Sequence, residues 1–196
     1  VWSDGPDSGN VTEAAEYQPG NGYIVWACDD GYSAGSMPET RGIDPITGHY
    51  VGDAHPRVIL FCQIRNDGQI AIFDESYACV KLSNVHIAEA LQAGYPEPDF
   101  AVHGPGAAEI RGRFFDAGIS PKQCTAKVAE SIKEMRAALA ADDNGWRRVI
   151  VHPRVRHLRA EMSAYANEQG TETPVKQFDH GPDAVRGLIW ILRYER

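Results

Sequence analysis

Several things are missing from this 196-residue chain, and each absence narrows what it does. No apolar run approaches the roughly 18 residues of a membrane-spanning helix. The longest, Gly187 to Leu192, is short and interrupted by Trp190, so no membrane partner is expected. The four cysteines, Cys28, Cys62, Cys79 and Cys124, are scattered with no C-x-x-C pair. That argues against a zinc site and for a reducing, cytosolic setting, with Cys28 and Cys62 acting as small hydrophobes inside apolar runs. The start, Val1-Trp2-Ser3-Asp4-Gly5, has neither the basic nor the apolar region of a signal peptide. It also lacks an initiator Met, as a fragment or processed product would. There is no G-x-x-x-x-G-K-[ST], so no P-loop ATPase is expected, and no G-x-S-x-G elbow. Gly104-x-Gly106 alone is too little for a dinucleotide fingerprint. Internal repeats and heptads are absent.

What is present suffices for one domain of ordinary size, with 43% of residues hydrophobic. The formal net charge of −8 at first argues against nucleic acid, but it is unevenly placed. Residues 1–145 carry 10 Lys and Arg against 21 Asp and Glu; residues 146–196 carry 9 against 6. Arg147, Arg148, Arg154, Arg156 and Arg159 crowd this basic quarter. They suit contact with a phosphate backbone, or equally an ordinary solvated helix face.

Residues 1–21, rich in Gly, Ser, Asp, Asn and Pro, read as a linker or flexible lead-in, and 22–196 as one domain. Short apolar runs predict strands at 23–28, 58–64, 69–74, 99–102 and 148–152. Asn66-Asp67-Gly68 marks a hairpin turn between the second and third. Residues 32–56 read as a long loop. Helical spacing and Gly or Pro punctuation predict helices at 82–93, 107–117, 123–141, 153 to about 167, and 182 to about 194. The order β-β-β-α-β-α-α-β-α-α predicts an α/β fold: a mixed five-stranded sheet, three antiparallel strands and then alternating elements, with helices on both faces. This is the element order of the ribonuclease H-like fold, in which the first and fourth strands lie side by side.

Asp29 and Asp30 close the first strand, at the sheet edge where ligands of open α/β sheets sit. Asp29 is a candidate ligand for a hard cation, or the pair simply forms a turn. Asp179, His180 and Asp183 crowd the start of the last helix. One acid there can cap the helix and another complement its dipole, but two acids and a histidine exceed that need. Glu75 ends the third strand and is a candidate outer ligand, or a surface acid.

These residues resemble a family. Asp29-Asp30-Gly31-Tyr32 after an apolar strand looks like the opening motif of the nuclease domain of phage terminase large subunits. Val151-His152-Pro153-Arg154-Val155-Arg156-His157-Leu158-Arg159-Ala160-Glu161-Met162 with Tyr165 resembles their penultimate helix. Pro174 to Arg186, with Lys176, Asp179-His180 and Asp183-Ala184, resembles their closing motif and is the most specific part. The resemblance implies a two-metal endonuclease that cuts concatemeric double-stranded DNA with Mg²⁺ or Mn²⁺. It implies as partners the ATPase domain of the full-length subunit, the portal and the small terminase subunit, in the host cytoplasm. Carried over, Asp29 bridges the two ions and Asp183 holds one, with Asp179 or His180 assisting. Arg147, Arg148, Arg154, Arg156, Arg159 and Lys176 are then expected to hold the DNA backbone. One departure stands out: the family places an acid at the end of the fourth strand, and here that place is His103 or Gly104. His103 acts as a ligand, or Glu75 or Glu109 substitutes, or the site is weakened. A Holliday-junction resolvase and a catalytically weakened DNA- or motor-binding domain are the alternatives.

Overall fold

The computed structural model describes residues 2, 4, 9–30, 46, 56–78, 81–105, 107–165 and 179–194. Six strands form one sheet: β1 (Tyr23–Asp29), β2 (Arg57–Ile64), β3 (Ile70–Ala78), β4 (Phe100–His103), β5 (Pro121–Gln123) and β6 (Val149–Val151). Their order is β5-β4-β1-β2-β3-β6. β2 is antiparallel to both β1 and β3, whereas β4 runs parallel to β1, β5 to β4, and β6 to β3. Every strand except β2 therefore points the same way, which gives the sheet one carboxyl edge. β1 and β4 are neighbours, as the ribonuclease H-like order requires. The β2–β3 turn closes with Gly68 N–H donating to Arg65 O, and Gly68 takes the left-handed conformation (φ +85°) that its turn position demands.

The expected five strands are six. Pro121–Gln123 falls where a helix was expected to begin, and that helix, α3, runs only over Val128–Leu139. A three-residue strand is too short to show a period of two. Pro121 is tolerated because β5 is an edge strand and needs no donor there. The other helices are α1 (Ser83–Leu91), α2 (Ala108–Asp116), α4 (Arg156–Ala164) and α5 (His180–Tyr194).

Alternation along β1 sorts the two cores. Val25 and Ala27 face α3, α4 and α5, packing with Met135, Leu158, Leu188 and Ile189. Ile24, Trp26 and Cys28 face α1 and α2, packing with Ile87, Ile110 and Phe114. β2 is buried along its whole length at the centre.

Part of the expected lead-in belongs to the fold. Asn10 is fully buried, and its side-chain amide donates to Leu139 O (2.9 Å) and Val149 O (3.0 Å). Val151 N–H donates to Asn10 O and Thr12 N–H to Val151 O, so residues 10–12 pair with the otherwise open edge of β6. Thr12 caps a short 3₁₀ helix, Glu13–Ala15, and Ala15 packs on Ala71 and Ile150. The polar composition of 1–21 hides this, because edge pairing uses backbone groups that any residue carries.

Candidate functional site

The carboxyl edge gathers Asp29, Asp179 and Glu161 around His180 at the start of α5. Asp29 is the last residue of β1, and the pleat turns it, like Val25 and Ala27, toward α5. α5 runs antiparallel to β1: its start meets Asp29, while Ile191 and Leu192 lie beside Tyr23 and Ile64 at the opposite edge. Close packing allows this. At Gly187 a Cβ would sit 3.5 Å from Cys124 and 3.6 Å from Val102, so the helix lies directly on β4. Asp183, one turn earlier on the same face, is therefore carried to the carboxyl end of β4. The positive end of the α5 dipole points at this cluster of acids.

His180 Nδ1 lies 2.7 Å from Asp29 Oδ2. Burial works against the imidazolium, but the hydrogen bond and charge of Asp29, joined by Glu161 and Asp179, outweigh it and raise His180 to about 9. Asp183 accepts from the guanidinium of Arg186 at 3.1 and 3.2 Å, and Arg186 donates on to Ser131 Oγ of α3 (2.8 Å). Asp179 is buried, and its carbonyl accepts from Asp183 N–H. Asp29 and Asp183 retain side-chain exposures of 27% and 17%, enough for solvent to reach their oxygens. These are hard oxygen donors of the kind Mg²⁺ takes. Among the described residues, however, no three His, Cys, Asp or Glu side chains are arranged to hold a metal ion.

Three of the expected contributors are elsewhere. Glu75 is spent on α4: its carboxylate accepts from the backbone N–H of His157 (2.6 Å) and Leu158 (3.0 Å) and meets His157 Nδ1 at 2.9 Å. It caps a helix N-terminus and does not reach toward Asp29. His103 is level with Cys28 in the β1–β4 register, so the pleat turns it to the α1–α2 face, opposite to Asp29. There its Nδ1 donates to Gly104 O, and burial, with the charge of Arg111, lowers its pKa. Glu109 bonds Ser83 and Arg113 on that same face, beside the Asp30–Arg57 ion pair (2.7 Å).

The arginine run does not make one basic face. Arg148 precedes β6 at the amino edge of the sheet and shares a cavity there with Tyr23, Phe100 and Lys122. The strand register puts it about seven residues, roughly 23 Å, from the level of Asp29. Arg147 beside it donates to Leu139 O. Arg154 pairs with Glu16, and Arg159 with Asp4. Arg156, at the start of α4 on the carboxyl side, is exposed, with no ion pair among the described residues. Lys176, Cys79 and nearly all of the 32–56 loop lie outside the described residues.

Glu161, which carries no assignment from the sequence motifs, enters the site. It is fully buried on α4, accepting from Tyr77 Oη (3.0 Å) and from Gly181 N–H (2.5 Å). Burial lifts its pKa to about 7, against the opposing pull of His180, Gly181 N–H and Tyr77; the charge of Asp29 adds to the rise. A signal for it existed. Leu158, Glu161 and Met162 form the buried stripe of α4, and an acid on an apolar stripe requires a partner.

No family profile matches the chain, and no curated protein matches it by sequence. Solved structures do resemble it. The large terminase of a thermophilic bacteriophage, in complex with ADP, superposes with a TM-score of 0.69 at 17% identity, covering 91% of this chain and 41% of that one. A second structure of the same large terminase gives 0.66 at 16% identity, covering 88% and 40%. The large terminase nuclease of thermophilic phage G20c gives 0.53 at 16% identity, covering 91% and 86%. This chain spans about two fifths of the first of these proteins and has the fold of the terminase nuclease structure.

Proposed function

We propose that this chain is the metal-dependent endonuclease domain of a viral DNA-packaging terminase large subunit, cutting concatemeric double-stranded DNA. The observation that supports it most is that Asp29, from the end of β1, meets His180 at the start of α5, the helix whose first turn also carries Asp183. Mg²⁺ or Mn²⁺ held by Asp29 and Asp183, with Asp179 and His180 beside them, would supply an activated water and charge neutralisation at the leaving oxygen. The chain's own residues do the rest. His180 keeps a proton at Nδ1 against Asp29 Oδ2 and so holds that carboxylate in place. Arg186 fixes Asp183 and ties it to α3 through Ser131. Arg156 offers a cation to the DNA backbone at the same edge. Double-stranded DNA, the ATPase domain of a full-length subunit, the portal and the small terminase subunit are the partners this reading entails, in the host cytoplasm.

The test is conversion of supercoiled plasmid to nicked and linear forms in Mn²⁺, with Asp29→Ala beside the wild type. The reading expects cutting by the wild type alone. Plasmid left intact at high protein concentration counts against it.

A second reading, a catalytically weakened domain that binds DNA or the motor, is favoured by one observation. The end of β4 carries His103, turned to the opposite face, where the family pattern has an acid. Such a domain shows no divalent-ion binding at millimolar Mn²⁺ in calorimetry, whereas the nuclease reading expects binding there.

A further inference from the structure

We propose that Glu161 is a positioning residue, whose buried carboxylate clamps the first turn of α5 to β3 and thereby sets His180 against Asp29. Three elements meet at this side chain. From β3, Tyr77 donates its hydroxyl to Oε1; from α5, Gly181 donates its backbone N–H to Oε2; the carboxylate itself stands on α4. Each end of the clamp is fixed in turn. The Tyr77 ring stacks on His157, with centroids 4.1 Å apart and planes 6° apart, and His157 is held by Glu75. Gly181 is the residue that admits the contact. A Cβ there would meet Leu158 Cδ1 at 2.8 Å and Glu161 Oε2 at 2.9 Å.

The consequence falls on the adjoining residue. Gly181 N–H follows directly on His180, whose imidazole must approach Asp29 to 2.7 Å. An α-helix start has no intrahelical acceptor for its first N–H groups, so a buried one needs an acceptor from elsewhere. Glu161 supplies it from a fixed scaffold. These contacts tie the rotation and height of the first α5 turn to α4 and β3. Glu161 touches neither substrate nor reacting atoms in this scheme; it acts through His180 and Asp29, as outer partners of metal ligands do.

The geometric claim stands on these contacts; its consequence for cutting rests on the nuclease reading. The two are separated by measuring the His180 imidazole directly. In metal-free protein with ¹⁵N-labelled histidine, His180→Gln identifies the His180 signals, and the hydrogen bond to Asp29 shifts its Nδ1–H proton downfield. Glu161→Leu is expected to abolish that shift, with the fold checked by near-ultraviolet circular dichroism. Glu161→Gln is expected to keep it, because the amide oxygen can accept from Gly181 N–H while its nitrogen donates to the Tyr77 oxygen. If Glu161→Leu does not fold, Tyr77→Phe carries the test in the same direction. In the same set, Mn²⁺ affinity is expected to fall about tenfold or more in Glu161→Leu and to stay near wild type in Glu161→Gln. An unshifted His180 signal in folded Glu161→Leu, or Gln behaving like Leu, overturns the clamp. Wild-type protein that neither binds Mn²⁺ nor cuts DNA overturns the nuclease reading and leaves the His180 result to decide the clamp.

Discussion

Asp29 and His180 hold each other across 151 residues of sequence, and their pairing makes the protein's stability depend on pH. A histidine whose folded pKa is raised contributes stability that is whole below its unfolded value and is lost as pH climbs through the folded one. With His180 raised from 6.5 to about 9, the metal-free protein is expected to lose on the order of 3 kcal/mol between those pH values. His180→Gln should flatten that decline in urea unfolding at pH 6.5 and pH 9; an equal decline in both proteins would contradict the pairing. Glu161, raised from 4.5 to about 7, acts with the same sign over the lower window. That residues 29, 179, 180 and 183 stand at the ends of elements is legible in the sequence, and the structure brings Asp29 and His180 together there. Glu75 and His103 were misplaced for a physical reason. Position along a strand is readable, but the neighbour that captures the side chain is set by pleat and register, as the capture of Glu75 by the α4 N-terminus shows.

Elements with clear periods were read closely from the chain: β1 through β4, the hairpin turn at Gly68, and the helices α1, α2, α4 and α5 all appear near their expected places. Those missed are held by contacts that leave no pattern. β5 is three residues of edge pairing, and residues 10–12 complete the β6 edge mainly through backbone groups. Asn10 is the exception, since its side chain carries two of the bonds. Asn10→Ala leaves the Leu139 and Val149 carbonyls buried without that donor and is expected to cost about 2 kcal/mol in urea unfolding. A change below about 0.5 kcal/mol would mean that the segment is an ornament on the domain and not part of it.

Taken whole, the molecule is a sheet with two chemically different ends. The carboxyl edge holds the acids and the start of α5; the amino edge holds Arg147, Arg148 and Lys122. A count of basic residues in the last quarter could not separate these ends, because β6 carries its flanking arginines to opposite sides of the domain. On the proposed nuclease reading, DNA lying across the acidic edge would meet Arg156 and not Arg148. Arg156→Ala is expected to weaken binding of linear duplex across sequences and lower the salt slope by about one, while Arg148→Ala leaves both near wild type. Equal losses in the two variants would place the DNA elsewhere. The most direct test of the whole account is anomalous diffraction from crystals soaked in Mn²⁺. The account predicts a peak at the carboxyl edge about 2.2 Å from an Asp29 carboxylate oxygen and within reach of the first turn of α5. A saturating soak that leaves that edge without a peak, or puts manganese only at other sites, contradicts it.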